Sequence, residues 1–192
     1  MKLRLVMCAV LASLPLLQSA AGAQSDRPVK IGIGGGLSVP VSDAKNSLKN
    51  GFHGELMVMW AGEGLPIGVR GSVGYERLTL KGLASGTDGD TRILSGIGNL
   101  SLGFPVGPVK PYIIAGLGAF NAQKSVSGIS SPSKTKFGID AGAGLEFKLG
   151  GILGFVEGKF QNVFSDQGFS SALGSAKAFS TQIIPVTFGV FF

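Results

Sequence analysis

The stretch "TKFGIDAGAGLEFKLG", Thr135 to Gly150, alternates strictly from its third residue onward. Phe137, Ile139, Ala141, Ala143, Leu145 and Phe147 share one parity; Gly138, Asp140, Gly142, Gly144, Glu146 and Lys148 share the other. Successive side chains of a β-strand point to opposite faces, so the segment is a strand with one apolar face and one face of glycine and charge. About ten residues of a strand tilted near 45° cross the hydrocarbon core of a bilayer.

Period two recurs along the chain. In "IGVRGSVGYE", Ile67, Val69, Val73 and Tyr75 oppose Arg70, Ser72, Gly74 and Glu76. In "FHGELMVMWA", Phe52, Leu56, Val58 and Trp60 oppose His53, Glu55, Met57 and Met59. "GFVEGKFQN" sets Val156 and Phe160 against Glu157, Lys159 and Gln161. The last segment sets Ile184, Val186, Phe188, Val190 and Phe192 against Pro185, Thr187 and Gly189. Ile93–Leu102 and Tyr112–Asn121 also read as strands, but both of their faces are mildly apolar and their phase stays open. With the glycine-rich opening stretch "KIGIGGGLSVPV", Lys30 to Val41, the count is eight.

The connections follow a second rhythm. "SDAKNSLKN", "KGLASGTDGDT", "QKSVSGISSPSKT" and "SDQGFSSALGSAKA" are long and polar, whereas "GEGLP", "FPVGPVK" and "LGG" are short, and the two kinds alternate. Up-and-down outer-membrane barrels carry long outer loops and short periplasmic turns in this order. The expected fold is therefore all-β: an eight-stranded antiparallel up-and-down transmembrane β-barrel with both ends on the periplasmic side.

Alternation alone does not say which face is wet. In lipid every backbone N–H and C=O must be paired internally, so a sheet must close on itself. A secreted soluble barrel binding an apolar ligand would close too, with its oily face inward. Two features favour the membrane. Aromatic residues gather near strand ends, with Trp60 and Phe147 by short turns and Phe52, Tyr75 and Phe137 by long loops, the spacing of two interfacial girdles. Charges of both signs, Glu55, Arg70, Glu76, Asp140, Glu146, Glu157 and Lys159, occupy the minor face. An eight-stranded barrel is just wide enough for its interior to be filled by side chains, so these residues are expected to pair as a structural lumen network.

Residues 1–23 read as a cleaved secretory signal peptide and 24–192 as one barrel domain. Lys2 and Arg4 precede an apolar run from Leu5 to Leu17, and Ala21, Gly22 and Ala23 supply small residues ahead of Gln24. The one cysteine, Cys8, falls in that run, so no disulfide and no thiolate metal site is expected in the mature chain. The formal charge of +6 is spread rather than clustered, which gives no electrostatic footprint for nucleic acid.

The glycine run itself mimics a phosphate-cradling loop. Gly32 and Gly34 begin a G-x-G-x-x-G pattern, but the third position is Leu37, and "LSVPV" continues as strand rather than opening a helix. The run is expected to leave room for charged lumen side chains of neighbouring strands. His53, the sole histidine, shares a face with Glu55, which is the minimum for general-base chemistry in a lipid-modifying enzyme; no nucleophile motif flanks it. No metal-ligand spacing is present and no cofactor is expected. Lys45, Lys49, Lys81, Lys124, Lys134, Lys136 and Lys177 sit in or beside the long loops, where cations suit the phosphates of lipopolysaccharide.

Several segments resemble the small outer-membrane β-barrel family of the OmpA/OmpX type: "GGGLSVPVSD", "NLSLGFPVGPVKPYIIAGLGAFN", "GIDAGAGLEF", "FVEGKF" and "IIPVTFGVFF". The resemblance spans the whole mature chain. It implies a bacterial outer-membrane location, lipid and lipopolysaccharide as surroundings, and a C-terminal strand, Ile184, Val186, Phe188, Val190 and Phe192, that the barrel-insertion machinery reads. It implies little about activity, since such barrels serve many roles. The expected role is non-enzymatic, structural or surface-interacting through the outer loops, with the loop-bound partner unspecified. With no wall-binding segment after Phe192, a wall-anchoring role is not expected.

Overall fold

A computed structural model of the chain describes residues 28–61, 66–82, 89–104, 106–127, 129–164 and 181–192. Residues 1–23, expected to be a signal segment, and Lys177 lie outside the described residues. Eight long strands form the wall: β1 Val29–Val41, β2 Leu48–Ala61, β3 Ile67–Leu80, β4 Gly89–Gly103, β5 Val109–Val126, β7 Lys134–Leu149, β8 Ile152–Val163 and β9 Thr181–Phe191. A two-residue strand, β6 (Ile129–Ser130), folds back on the end of β5, and a single helical turn, α1 (Ala44–Ser47), follows β1.

Each wall strand pairs antiparallel with its sequence neighbour, and β1 pairs with β9, so the sheet closes. The fold is an eight-stranded up-and-down barrel. One short turn shows how local chemistry sets the register: Leu149 pairs with Ile152, leaving Gly150 and Gly151 as a two-residue loop. Gly150 has φ +63°, the left-handed conformation that tight hairpins demand and glycine adopts without strain. The third long connection is shorter than its sequence suggests, because β5 and β7 extend as a ribbon past the wall and β6 adds to it.

The apolar parity faces outward. Ile31, Leu37, Leu56, Leu117, Phe137 and Phe188 are each more than three-fifths exposed, whereas Glu157, Lys159, Arg70 and Asp140 are buried inside. That is the reverse of a soluble ligand-binding barrel, and the outward row needs lipid to cover it. No helix among the described residues is long and apolar enough to cross a membrane; the crossing elements are strands.

The interior holds more than the charged residues, and it corrects one expectation. It is not polar throughout: Leu48, Leu78, Ile93, Ile97, Phe120, Val163 and Ile183 form a buried apolar cluster toward the long-loop end, with Ala44 of α1 packed against it. A second cluster, Met57, Met59, Phe155 and Phe191, fills one side of the short-turn half. Phe155 and Phe191 meet with ring centroids 5.1 Å apart at a 34° tilt. Gly32 and Gly34 accordingly make room for the rings and Met57, not for charges. A Cβ on Gly32 would lie 2.5 Å from the Phe191 ring, and one on Gly34 would press on Thr187, Met57 and Phe155.

Candidate functional site

Between the two apolar clusters lies a band of ionised side chains. Arg70 on β3 directs Nη2 at both carboxylate oxygens of Glu157 on β8, at 2.7 and 2.8 Å. Tyr112 of β5 donates its hydroxyl to Glu157 Oε2 at 2.8 Å. Lys159, two residues on and therefore on the same face, places Nζ 3.4 Å from Glu157, 3.7 Å from Asp140 and 3.8 Å from Glu55. Asn99 Nδ2 donates to Asp140 Oδ1 at 2.6 Å. Removing charges from water costs several kcal/mol per ion, which only close pairing and full hydrogen bonding offset.

Of the seven charged residues singled out by alternation, all are buried and all lie on the inner parity. Five of them, Glu55, Arg70, Asp140, Glu157 and Lys159, converge in this band. Glu146 sits nearer the short turns beside Lys110, at 3.7 Å. Glu76 stands apart toward the long loops, and its Oε1 has no hydrogen-bond partner among the described residues. Tyr112 and Asn99 belong to the network without having been singled out; both lie on β4 or β5, whose phase the sequence left open.

His53 is also inside the barrel. Its Nδ1 lies 3.1 Å from Ser38 Oγ and its Nε2 2.9 Å from Thr187 Oγ1. A neutral imidazole has one donor and one acceptor nitrogen, so the two hydroxyls satisfy the ring. A cavity of about 30 Å³, room for water, is bordered by His53, Glu55, Glu76, Lys159 and Thr187. Among the described residues no group of histidines, cysteines and carboxylates has the geometry of a metal site. The imidazole faces the lumen, on the parity opposite to the wall that acyl chains would cover.

Ile184, Val186, Phe188 and Val190 form the outward row of β9, with Phe188 the most exposed of them and Phe191 turned inward between this row's last member and Phe192. The outer rim carries most of the remaining charge, with Lys30 and Lys148 at the short-turn end. At the long-loop end Lys45, Lys49, Arg77, Lys81, Arg92, Lys124, Lys134 and Lys136 are exposed or half-buried, against Asp43 and Asp90.

A closed barrel with an apolar outer wall and a plugged, ion-paired interior is the build of a small bacterial outer-membrane protein. The chain belongs to the outer membrane protein beta-barrel domain family, whose pattern matches residues 8–180. Among solved structures it is similar to the Neisserial surface protein A, with a TM-score of 0.63 at 17% identity over 86% of this chain and 96% of that one. It is similar also to a major outer membrane protein of Thermus thermophilus, with a TM-score of 0.53 at 15% identity over 86% of this chain and 99% of that one. At these identities the likeness is one of fold. No curated protein matches the sequence.

Proposed function

We propose that the protein is a non-enzymatic barrel of the outer membrane, exported with the loss of residues 1–23, that acts through its outer rim rather than its lumen. The observation that carries this is the charge of that rim: eight cations against two carboxylates among the described residues, on a barrel whose interior is filled. The sign suits anionic partners, and in an outer leaflet the nearest are the phosphates of lipopolysaccharide. The outward row Ile184, Val186, Phe188, Val190 with Phe192 supports recognition by the barrel-insertion machinery, as the family resemblance implies. The lumen residues Glu55, Arg70, Asp140, Glu157 and Lys159 then serve stability, because they face one another and not a substrate.

Fractionation of cells expressing the full chain tests the location, and migration of unboiled against boiled samples on gels tests the closed barrel. Recovery in the outer-membrane fraction with heat-modifiable migration is expected; recovery in the soluble periplasm would overturn the proposal. Binding of purified protein to lipopolysaccharide should weaken steeply with salt and with Lys45→Gln, Lys81→Gln and Lys124→Gln combined.

A further inference from the structure

We propose that Arg77 and Arg92 form a phosphate clamp, on the outer wall between β3 and β4, for the headgroup of a phosphorylated outer-leaflet glycolipid. The inference rests on the reading above and deepens it: it assigns two of the eight rim cations, those on the wall below the loop lysines, to one phosphate.

The two arginines are direct cross-strand partners, Arg77 opposite Arg92. Both belong to the outward parity, and their side chains are 47% and 45% exposed. Immediately beneath them the outward pair is Tyr75 and Leu94. The apolar row of β3 runs from Ile67 to Tyr75; its eight steps of roughly 3.4 Å, tilted about 40°, rise about 21 Å, close to the ~25 Å apolar band of outer-membrane barrels. The guanidiniums thus stand one step above the hydrocarbon edge, where headgroup phosphates lie. Phe52, partner of Arg77 on β2, and Gln123, partner of Arg92 on β5, complete the row. Phe52 is exposed on the same wall, and the Gln123 amide donates Nε2 to Ser131 O at 3.2 Å.

Charge points the same way. Asp90 accepts Arg77 Nη2 at 3.3 Å on Oδ1 and Arg92 Nε at 2.7 Å on Oδ2. One carboxylate cannot neutralise two guanidiniums, and each arginine has five N–H donors in a planar fork. The triplet therefore keeps a net positive charge and unused donors directed outward. A phosphate carries about −1.5 to −2 charges and accepts arginine forks bidentately, a geometry that a lysine ammonium does not offer.

The test is native mass spectrometry of the refolded full chain from micelles containing bisphosphorylated lipid A, phosphate-free lipid A or phosphatidylglycerol. Wild-type protein is expected to retain the bisphosphorylated form about tenfold or more over the phosphate-free form, as loss of charge-assisted bonds implies. Arg77→Gln with Arg92→Gln should remove that preference, and Lys81→Gln with Lys124→Gln should not. Should the double arginine variant fail to fold, Asp90→Asn replaces it and should strengthen retention by releasing both guanidiniums. Equal retention of phosphate-free lipid A, equal retention of phosphatidylglycerol, or an undiminished preference in the arginine variant would overturn the clamp. Loss on the lysine variant alone would overturn the clamp while sustaining the loop-mediated function.

Discussion

Arg70 and Glu157 stand on diametrically opposed strands of the ring, β3 and β8, and still meet at 2.7 Å across the lumen. The pair spans a bore that eight strands make narrow enough to bridge, but its members are not equivalent. Glu157 has Lys159 and Tyr112 as further partners, whereas the short contacts of Arg70 all fall on Glu157. Glu157→Leu strands a buried guanidinium and should cost about 3–5 kcal/mol. Arg70→Met leaves Glu157 its lysine and tyrosine and should cost less. The double variant should lie closer to wild type than Glu157→Leu alone. Urea titration in detergent micelles checks the order, and a larger loss for Arg70→Met would refute the asymmetry.

His53 offers a clean separation of structure from catalysis. His53→Ala leaves the hydroxyls of Ser38 and Thr187 without their ring partner, at a cost of about 1–3 kcal/mol in stability. The lipid A profile of cells carrying the variant should be unchanged by mass spectrometry. A shift in acyl-chain number that depends on His53 would revive the lipid-modifying alternative.

The apolar cluster fills the lumen at the long-loop end. Wild-type protein in planar bilayers should carry no steady current. Leu78→Ser with Phe120→Ser replaces two of its most buried members, 0% and 2% exposed. That variant should conduct small ions while losing several kcal/mol of stability, since emptying a core aromatic alone costs about 3–5 kcal/mol. A wild-type protein that conducts as freely as the variant would show that the cluster is no barrier.

The wall glycines divide by parity. A Cβ on Gly36 would collide with the carbonyl oxygen of Val186 on the neighbouring strand, and Gly51 stands in the same relation to Arg77. Gly71, Gly96 and Gly98 have nothing within 4 Å. Gly36→Ala should therefore lower the yield of refolded barrel sharply, while Gly71→Ala should be neutral or mildly stabilising, as alanine restricts the unfolded chain. Comparable refolding of both variants would contradict the packing argument.

Asp90 lies above the apolar band, and its hydrogen bond from Arg92, aided by Arg77, holds its carboxyl below the usual range. A depressed carboxylate lends stability above its unfolded pKa and loses it as pH falls through the folded value. The carboxyl is half-buried under two exposed guanidiniums at the water-facing rim, where solvent screens the effect. Asp90→Asn should melt within error of wild type at pH 7, and any small difference should vanish in acid. A difference that grew on acidification would reverse the sign.

Much of this was legible in the sequence wherever one parity was oily and the other was not. Phe137 to Lys148 and Ile67 to Glu76 declare both strand and face, and the long and short links declare the topology. β4 and β5 were opaque for a physical reason: Ile93, Ile97, Ile114 and Phe120 point inward while Leu94, Leu100, Ile113 and Leu117 point outward. With both rows apolar, the period-two signal cancels. Phe155 and Phe191 were hidden because each sits beside an outward apolar neighbour, Val156 and Phe192. The signal that would have exposed them is the glycine opposite, since Gly32 and Gly189 face these rings. Arg77, Asp90 and Arg92 escaped notice because strand register, not sequence spacing, brings them together.

The β1–β9 ladder joins the two described strands most distant in sequence, from Gly32 opposite Phe191 to Val41 opposite Gln182. Contacts of such long range form late and fold slowly. Until that ladder zips, both strands present open edges of unpaired amides, which hydrocarbon does not tolerate. The barrel thus has no stable half-built form within the membrane: its assembly is committed at the closing ladder, and a mispaired residue there would be felt by the whole ring at once.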